Sequence, residues 1–272
     1  MGECDGSLQE GMHLLVLGAI QGITEFLPVS SSAHLVFLPQ LLDWKGHDQG
    51  IEVVFSIGTL GVLCIYLCRE IRDVMRGALD VVWGKATPER YLFWKVVVAS
   101  LPVIAVGGIV ELCFKLQLKS PLLLAVMSAF FALLLFWCDR IPRRFVLHRY
   151  QGSLVDALIV GCVQVCSLVP GVSRLGVSLS AMRFLGYDRL DAFRFSMLLS
   201  IPSVLGALTL KGLKAFSEGV VFSWGSIIGG NAVAFLCGTL VFYGMSRWLS
   251  KNGTFAPFVI YRLLLAALMI VM

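Results

Sequence analysis

Long apolar stretches alternate with short polar ones along most of this chain. In six places the apolar stretch has about 18 to 23 residues, the length that crosses a hydrocarbon core about 30 Å thick. These stretches cover residues 51–68, 96–114, 121–138, 192–210, 224–245 and 255–272. The pattern predicts six transmembrane helices.

Two further apolar segments, residues 14–42 and 154–185, are interrupted by polar residues and by a proline, Pro28 or Pro170. Proline lacks the amide donor that a helix interior needs, so each segment breaks into two arms. An arm of about 14 residues reaches only about 21 Å and does not cross the core alone. Each segment is therefore predicted to form a re-entrant hairpin of helix, break and helix.

The order of a hairpin followed by three spans occurs twice. Several positions recur with similar spacing: Gly18, Gln21, Pro28 and Ser30 correspond to Gly161, Gln164, Pro170 and Ser173. Because three spans are an odd number, the two halves would have opposite orientations in the membrane, as in inverted-topology repeats. We predict an all-α integral membrane protein with one domain, 1–272, made of repeats 1–138 and 153–272.

Composition and charge agree with this class. The chain is 58% hydrophobic and 14% charged, which is too apolar for an ordinary soluble globule. Its net charge is +5, but the basic residues lie in short clusters between the apolar stretches, so we expect no nucleic-acid partner. By the positive-inside rule the loops after the first, third and fifth spans are cytoplasmic; the first carries Arg69, Arg72 and Arg76.

The two breaks contain residues suited to binding an anion. They read QGITEFLPVSSSAH over 21–34 and LVPGVSRLG over 168–176. A helix that restarts after each proline would place Ser30, Ser31 or Ser173 near its N-terminus, where free amides and the helix dipole favour negative charge. The planar cation of Arg174 suits phosphate oxygens, although a structural ion pair with Glu25 is an alternative.

The first break also has the groups needed for chemistry. Gln21 and Glu25 are four residues apart, and Ser31 and His34 are three apart, so each pair shares a helical face. A hydroxyl and an imidazole near a buried carboxylate could perform nucleophilic or acid–base catalysis. The alternative is that the serines only cap and pack helices. We predict that the two breaks meet and that Glu25 and Arg174 face one cavity.

These motifs resemble the two signatures of the undecaprenyl-diphosphate phosphatases, a family also described as bacitracin-resistance proteins. The segments RFLGYDRLDAFRFSMLLSIPSVLGA and FAPFVIYR also resemble that family, so the resemblance covers nearly the whole chain. It implies hydrolysis of a polyprenyl diphosphate to the monophosphate carrier lipid of peptidoglycan synthesis, and bacitracin resistance. It also implies a multi-pass protein of the bacterial inner membrane whose active site faces the periplasm.

The resemblance assigns roles to individual residues. Glu25, Ser31, His34 and Arg174 are the implied catalytic residues, with Ser31 as nucleophile and His34 as base or alternative nucleophile. The phosphate would be bound by Ser30, Ser32, Ser173 and Arg174. A divalent cation, Mg²⁺ or Ca²⁺, would be held by Glu25 and Gln21, although Gln21 stands where some relatives have a second glutamate. Arg262, near the C-terminus, either snorkels to the cytoplasmic surface or belongs to the site.

A different class of protein would also use such a layout. Inverted repeats with broken helices and a midplane anion site occur in many carriers, so the alternative is a lipid-phosphate transporter or flippase. The expected partners are a polyprenyl diphosphate lipid, membrane lipid and, as an option, a second copy of the chain in a homodimer. Hydrolysis by detergent-solubilised protein distinguishes the enzyme, because transport needs two compartments.

Overall fold

The structure is a computed structural model that describes residues 2–42, 44, 50–111, 120–141, 152–217 and 224–271. Its regular elements are helices, which confirms the predicted all-α class. The first half contains α1 (Gly2–Glu25), α2 (Ser31–Leu41), α3 (Gly50–Tyr66), α4 (Cys68–Val82), α5 (Pro88–Ile109) and α6 (Pro121–Arg140). The second contains α7 (Leu154–Gln164), a short 3-10 helix (Val165–Leu168), α8 (Arg174–Phe184), α9 (Arg189–Ser217), α10 (Trp224–Ser250) and α11 (Ala256–Val271).

Four of the described helices, α5, α6, α9 and α10, are long and apolar enough to cross a membrane. The pair α3 and α4 forms a fifth candidate span, but it bends by 82° at its junction. The helix α11 has 16 residues, fewer than a span usually needs. The multi-pass class is confirmed, whereas the expected six full-length spans become four or five in the described part of the chain.

The helix α4 corrects one sequence expectation. Arg69, Arg72 and Arg76 were expected in a loop, but they lie on this 15-residue helix. Their side chains are exposed, while Gly77 packs against the backbone of Glu89 on α5. A search for long apolar stretches misses such a helix, because its apolar residues form one stripe among charged ones. The loop expected around residues 140–149 lies almost wholly outside the described residues.

Both hairpins are interrupted at the expected prolines. The first break separates α1 from α2, and the second separates the 3-10 helix from α8. The helices α2, α7 and α8 have 11 residues each, so each reaches about 16 Å and is too short to cross the core. The first arm is longer than predicted, because α1 runs for 24 residues from Gly2 and includes the polar residues before position 14.

The two halves pack into each other through glycines. A side chain at Gly18 or Gly22 on α1 would overlap the backbone of α10, and one at Gly161 on α7 would lie 2.6 Å from the carbonyl oxygen of Ala99 on α5. The first arm of each hairpin therefore lies against a long helix of the opposite half. The inverted repeat stays a prediction. An inverted repeat would place the first arm of each half against a helix of the other half, as α1 lies against α10 and α7 against α5.

A buried ionic cluster anchors the far end of α8. Asp139, in the last turn of α6, accepts hydrogen bonds from Arg183 Nε at 2.7 Å and from Arg189 Nε at 2.8 Å. Arg183 also donates to the Tyr187 carbonyl oxygen at 2.6 Å. Because this cluster joins α6, α8 and the start of α9, it fixes the helix that begins at Arg174.

Candidate functional site

The two breaks lie side by side. The backbone amide of Gly171 donates a hydrogen bond to Ser32 Oγ at 3.3 Å, which joins the second break to the start of α2. Gly171 has a φ of 89°, and a Cβ there would lie 2.6 Å from the Leu124 carbonyl oxygen on α6. Only glycine combines this left-handed conformation with so close an approach. The local sequence of the second break thus permits the contact between the hairpins.

A polar cavity of about 190 Å³ opens between the breaks. Glu25, the last residue of α1, and Arg174, the first residue of α8, both line it. The structure therefore brings these residues to one cavity, as the sequence predicted. The remaining polar lining residues all carry hydroxyl groups: Thr24, Ser31, Ser32, Ser167, Ser173 and Ser200.

Arg174 brings a buried hydrogen-bond donor without a partner to this cavity. Its Nη1 is buried and has no hydrogen-bond partner within the described residues, and no ion pair joins it to Glu25 there. The alternative of a structural Glu25–Arg174 ion pair is therefore not what the structure shows. Ser173 caps α8, since its Oγ accepts from the Gly176 amide at 3.1 Å. A desolvated donor beside a helix N-terminus suits a phosphate oxygen.

Gln21 holds the carboxylate of Glu25. Its Nε2 donates to Glu25 Oε2 at 3.0 Å and lies 3.3 Å from Ser56 Oγ on α3. The Gln21 side chain is buried beneath the cavity and is not one of the lining residues. Its amide nitrogen faces the carboxylate, so in this arrangement Gln21 orients Glu25.

The donor set of the cavity suits a hard cation and not a soft one. Within the described residues no group of three or more His, Cys, Asp or Glu side chains is placed to hold a metal. One carboxylate, that of Glu25, stands among hydroxyl groups. Mg²⁺ is commonly held by one or two carboxylates together with substrate phosphates and water, so these residues fit such an ion.

His34 is engaged away from the cavity. Its Nδ1 donates to the Ser30 carbonyl oxygen at 2.7 Å, and its Nε2 lies 2.6 Å from the hydroxyl of Tyr261 on α11. A carbonyl oxygen only accepts, so the neutral imidazole carries its proton on Nδ1 and accepts from Tyr261 at Nε2. The cavity is lined by Ser31 and Ser32 but not by His34 or the buried Ser30.

Arg262 was the residue that the sequence left least defined. Its side chain is 0% exposed, so the snorkelling interpretation is wrong. Its Nη2 donates to the Gly171 carbonyl oxygen at 3.2 Å, Nη1 to that of Pro28 at 3.5 Å, and Nε to Ser128 Oγ at 3.2 Å. One guanidinium thus joins both breaks to α6. Gly176 leaves room for it, since a Cβ there would lie 3.2 Å from Arg262 Nη1.

Three lining residues were not identified from the sequence: Thr24, Ser167 and Ser200. Hydroxyl residues in helices commonly bond to a carbonyl of their own helix, as Thr24 Oγ1 does with Ile20 at 2.7 Å and Ser200 Oγ with Ser196 at 3.2 Å. Thr24 adjoins Glu25 within the first motif, and Ser167 directly precedes the second, so proximity to the motifs could have identified both. Ser200 has no signal in the sequence that separates it from Ser196 and Ser203.

The fold and the cavity define a class: a multi-pass helical membrane protein with a polar cavity between two broken helices. The match to the family model described as bacitracin resistance protein BacA covers residues 14–268. The chain belongs to this family.

Curated relatives agree over nearly their full lengths. An undecaprenyl-diphosphatase of Chromohalobacter salexigens is 38% identical over 262 residues, 96% of this chain and 98% of the relative. The undecaprenyl-diphosphatase 1 of Rhodospirillum rubrum is 38% identical over 264 residues, 94% and 93% of the two chains. An undecaprenyl-diphosphatase of Hahella chejuensis is 35% identical over 257 residues, which are 94% of this chain and 96% of the relative.

Proposed function

We propose that this protein is a membrane phosphatase that hydrolyses undecaprenyl diphosphate, or a similar polyprenyl diphosphate, to the monophosphate and inorganic phosphate. The observation that carries the proposal is the polar cavity in which the unpartnered Arg174 Nη1 and the Glu25 carboxylate meet. Membership of a family whose relatives are named undecaprenyl-diphosphatases supplies the substrate class. Its products would recycle the carrier lipid for peptidoglycan synthesis and confer bacitracin resistance.

The cavity provides what phosphoryl transfer requires, namely positioning and neutralisation of charge. Arg174 would hold oxygens of the terminal phosphate, assisted by Ser173 and by the N-termini of α2 and α8. The Ser31 hydroxyl, or a water molecule in its place, attacks the terminal phosphorus. The bond from that phosphorus to the bridging oxygen breaks, and the prenyl monophosphate leaves with this oxygen. Where water attacks, inorganic phosphate forms in this one step. Where Ser31 attacks, the phosphoryl group is transferred to its oxygen, and a water molecule then hydrolyses the phosphoserine to inorganic phosphate and free Ser31.

His34 has two roles open to it in this reaction. As the base, it would exchange its hydrogen bond to Tyr261 for one to the attacking hydroxyl, because Nε2 is engaged with Tyr261 Oη at 2.6 Å. As a positioning residue, it would keep its bond to the Ser30 carbonyl and hold the serines of the first break in place. Comparing Ser31 and His34 variants distinguishes these roles.

The proposed cofactor is a divalent cation, Mg²⁺ or Ca²⁺. Glu25 would hold it together with phosphate oxygens of the substrate, and Gln21 would keep the Glu25 carboxylate oriented. When bound, the cation would neutralise charge on the phosphates. The inner-membrane location, the periplasmic orientation of the cavity and the homodimer also stay predictions.

The proposal is tested by measuring phosphate release from undecaprenyl diphosphate by protein purified in detergent. We expect release that needs a divalent cation, is stopped by a chelator and is lost in Arg174→Ala. The matched control is Arg247→Ala, which removes an exposed arginine of α10. Absence of hydrolysis by the folded wild-type protein would contradict the proposal.

A further inference from the structure

A second cavity adjoins the polar one. It has a volume of about 230 Å³ and shares two lining residues with the polar cavity, Ser167 and Arg174. We call it the apolar cavity, because Val53, Val103, Ile104, Leu168 and Leu210 line it along with small residues. Its polar lining residues besides the shared pair are Ser203 and Glu111. Ser167 and Arg174 thus form a wall that the two cavities share.

The apolar cavity exists because small residues face it. Gly107 and Gly108 on α5 and Gly206 and Ala207 on α9 line the space between these two membrane-spanning helices. A Cβ at Gly108 or Gly206 would have no atom within 4 Å. A Cβ at Gly107 would meet the Leu168 side chain at 3.3 Å.

Packing glycines elsewhere in the chain show the contrast. A Cβ at Gly58 would overlap the backbone of Asn231, and one at Gly161 would lie 2.6 Å from the Ala99 carbonyl oxygen. Those positions need glycine because another helix touches them. Gly108 and Gly206 have no such neighbour within 4 Å, and a side chain at either position would occupy part of the apolar cavity.

We propose, on the basis of the phosphatase function above, that the apolar cavity binds the first isoprene units of the substrate and that Gly108 and Gly206 set its width. The diphosphate in the polar cavity would lie beside Arg174, and the prenyl chain would pass Ser167 and Leu168 into the apolar cavity. A cavity of about 150 Å³ binds benzene in another protein, so this larger space has room for one or two isoprene units. The remainder of the tail would continue into the bilayer.

Binding of the isoprene units in the apolar cavity is expected to position the diphosphate more than to increase the affinity for the substrate. Lipid and detergent are as apolar as the cavity wall, so transfer of the tail gains little free energy. The fixed isoprene units instead align the diphosphate with Arg174, and a small misplacement of reacting groups lowers the rate strongly. Substrates that differ in the number of isoprene units therefore report on the cavity.

The test measures kcat/KM in detergent for farnesyl diphosphate and for dimethylallyl diphosphate, whose single isoprene unit would reach only the entrance of the apolar cavity beside Ser167. In Gly108→Leu and in Gly206→Leu we expect the ratio of farnesyl to dimethylallyl kcat/KM to fall by about tenfold or more. The smaller Gly108→Ala should lower the ratio less. The control is Gly244→Leu on α10. A Cβ there also meets nothing within 4 Å, but Gly244 lines neither the polar nor the apolar cavity, so its ratio should equal that of the wild type.

The possible results separate this inference from the phosphatase proposal. An unchanged ratio in both leucine variants overturns the inference while wild-type hydrolysis still supports the phosphatase. An equal loss for both substrates also overturns it, since that loss indicates damage to the polar cavity. If one leucine variant does not fold, the other variant and Gly108→Ala decide the result. A wild-type protein inactive on both substrates contradicts the phosphatase function itself.

Discussion

Replacing Arg262 with methionine removes the cation that joins the two breaks but keeps a long, unbranched side chain. Arg262 is buried and donates hydrogen bonds to the carbonyl oxygens of Pro28 and Gly171 and to Ser128 Oγ. The variant leaves these three acceptors without their donor. We expect it to lower the stability of the protein and to disturb the contact between the breaks.

The size of the stability change follows from the number of bonds. Hydrogen bonds between membrane helices contribute about 0.6 kcal/mol on average and up to about 1.7 kcal/mol, so three of them give about 2 to 5 kcal/mol. Among the described residues Arg262 has no carboxylate partner, and removing its desolvated charge offsets part of this loss. We therefore expect the free energy of unfolding to fall by about 2 kcal/mol.

The assay combines thermal unfolding in detergent with phosphate release well below the melting temperature. A shift of about 1 Å in a catalytic group can cost a hundredfold in rate, so we expect a loss of this order in kcat at a nearly unchanged KM. Arg247→Met is the control, because the Arg247 side chain is exposed and donates to Tyr243 Oη at 3.3 Å, away from both breaks. Wild-type turnover in a folded Arg262→Met protein would refute the positioning role, whatever its melting temperature.

Three further predictions concern the cavity and its support. Ser31→Ala should abolish phosphate release if Ser31 is the nucleophile, and His34→Ala should retain activity if His34 only positions the break. The same assay compares both variants, and equal activities would contradict this assignment of different roles to Ser31 and His34. Glu25→Gln should raise the Mg²⁺ concentration that gives half-maximal turnover, and an unchanged Mg²⁺ titration would exclude Glu25 as a ligand. Asp139→Asn leaves Arg183 and a second guanidinium without their buried carboxylate, so the free energy of unfolding should fall by about 3 to 5 kcal/mol, and a melting temperature like that of the wild type would contradict this reasoning.

Much of the site could be predicted because its signals are local. Pro28 and Pro170 lie next to clustered serines or glycine, and the helices end there, so the starts of α2 and α8 could be predicted. Proline alone was not sufficient, because Pro102 and Pro202 lie inside the continuous helices α5 and α9. A charged residue at membrane depth needs a function or a partner, which singled out Glu25 and Arg174. The length and apolar composition of the stretches likewise determined the class of membrane protein.

The tertiary structure decided how these signals combine. His34 contacts Tyr261, 227 residues away, and Arg262 contacts the Pro28 carbonyl, 234 residues away. Helical periodicity places residues on a common face, but it does not say which other helix covers that face. Periodicity therefore grouped Ser31 with His34, while the packing of α11 turned His34 toward Tyr261 and left Ser31 in the cavity.

The sequence by itself determined that this chain lies in a membrane, breaks two of its helices and places an acid and a cation at the breaks. Only the tertiary structure decided that Arg262 joins those breaks, that α4 is a helix bent away from α3, and that an apolar cavity adjoins the polar one. The reason is physical: a helix break depends on a few neighbouring residues, whereas a cavity depends on what every surrounding helix leaves unfilled.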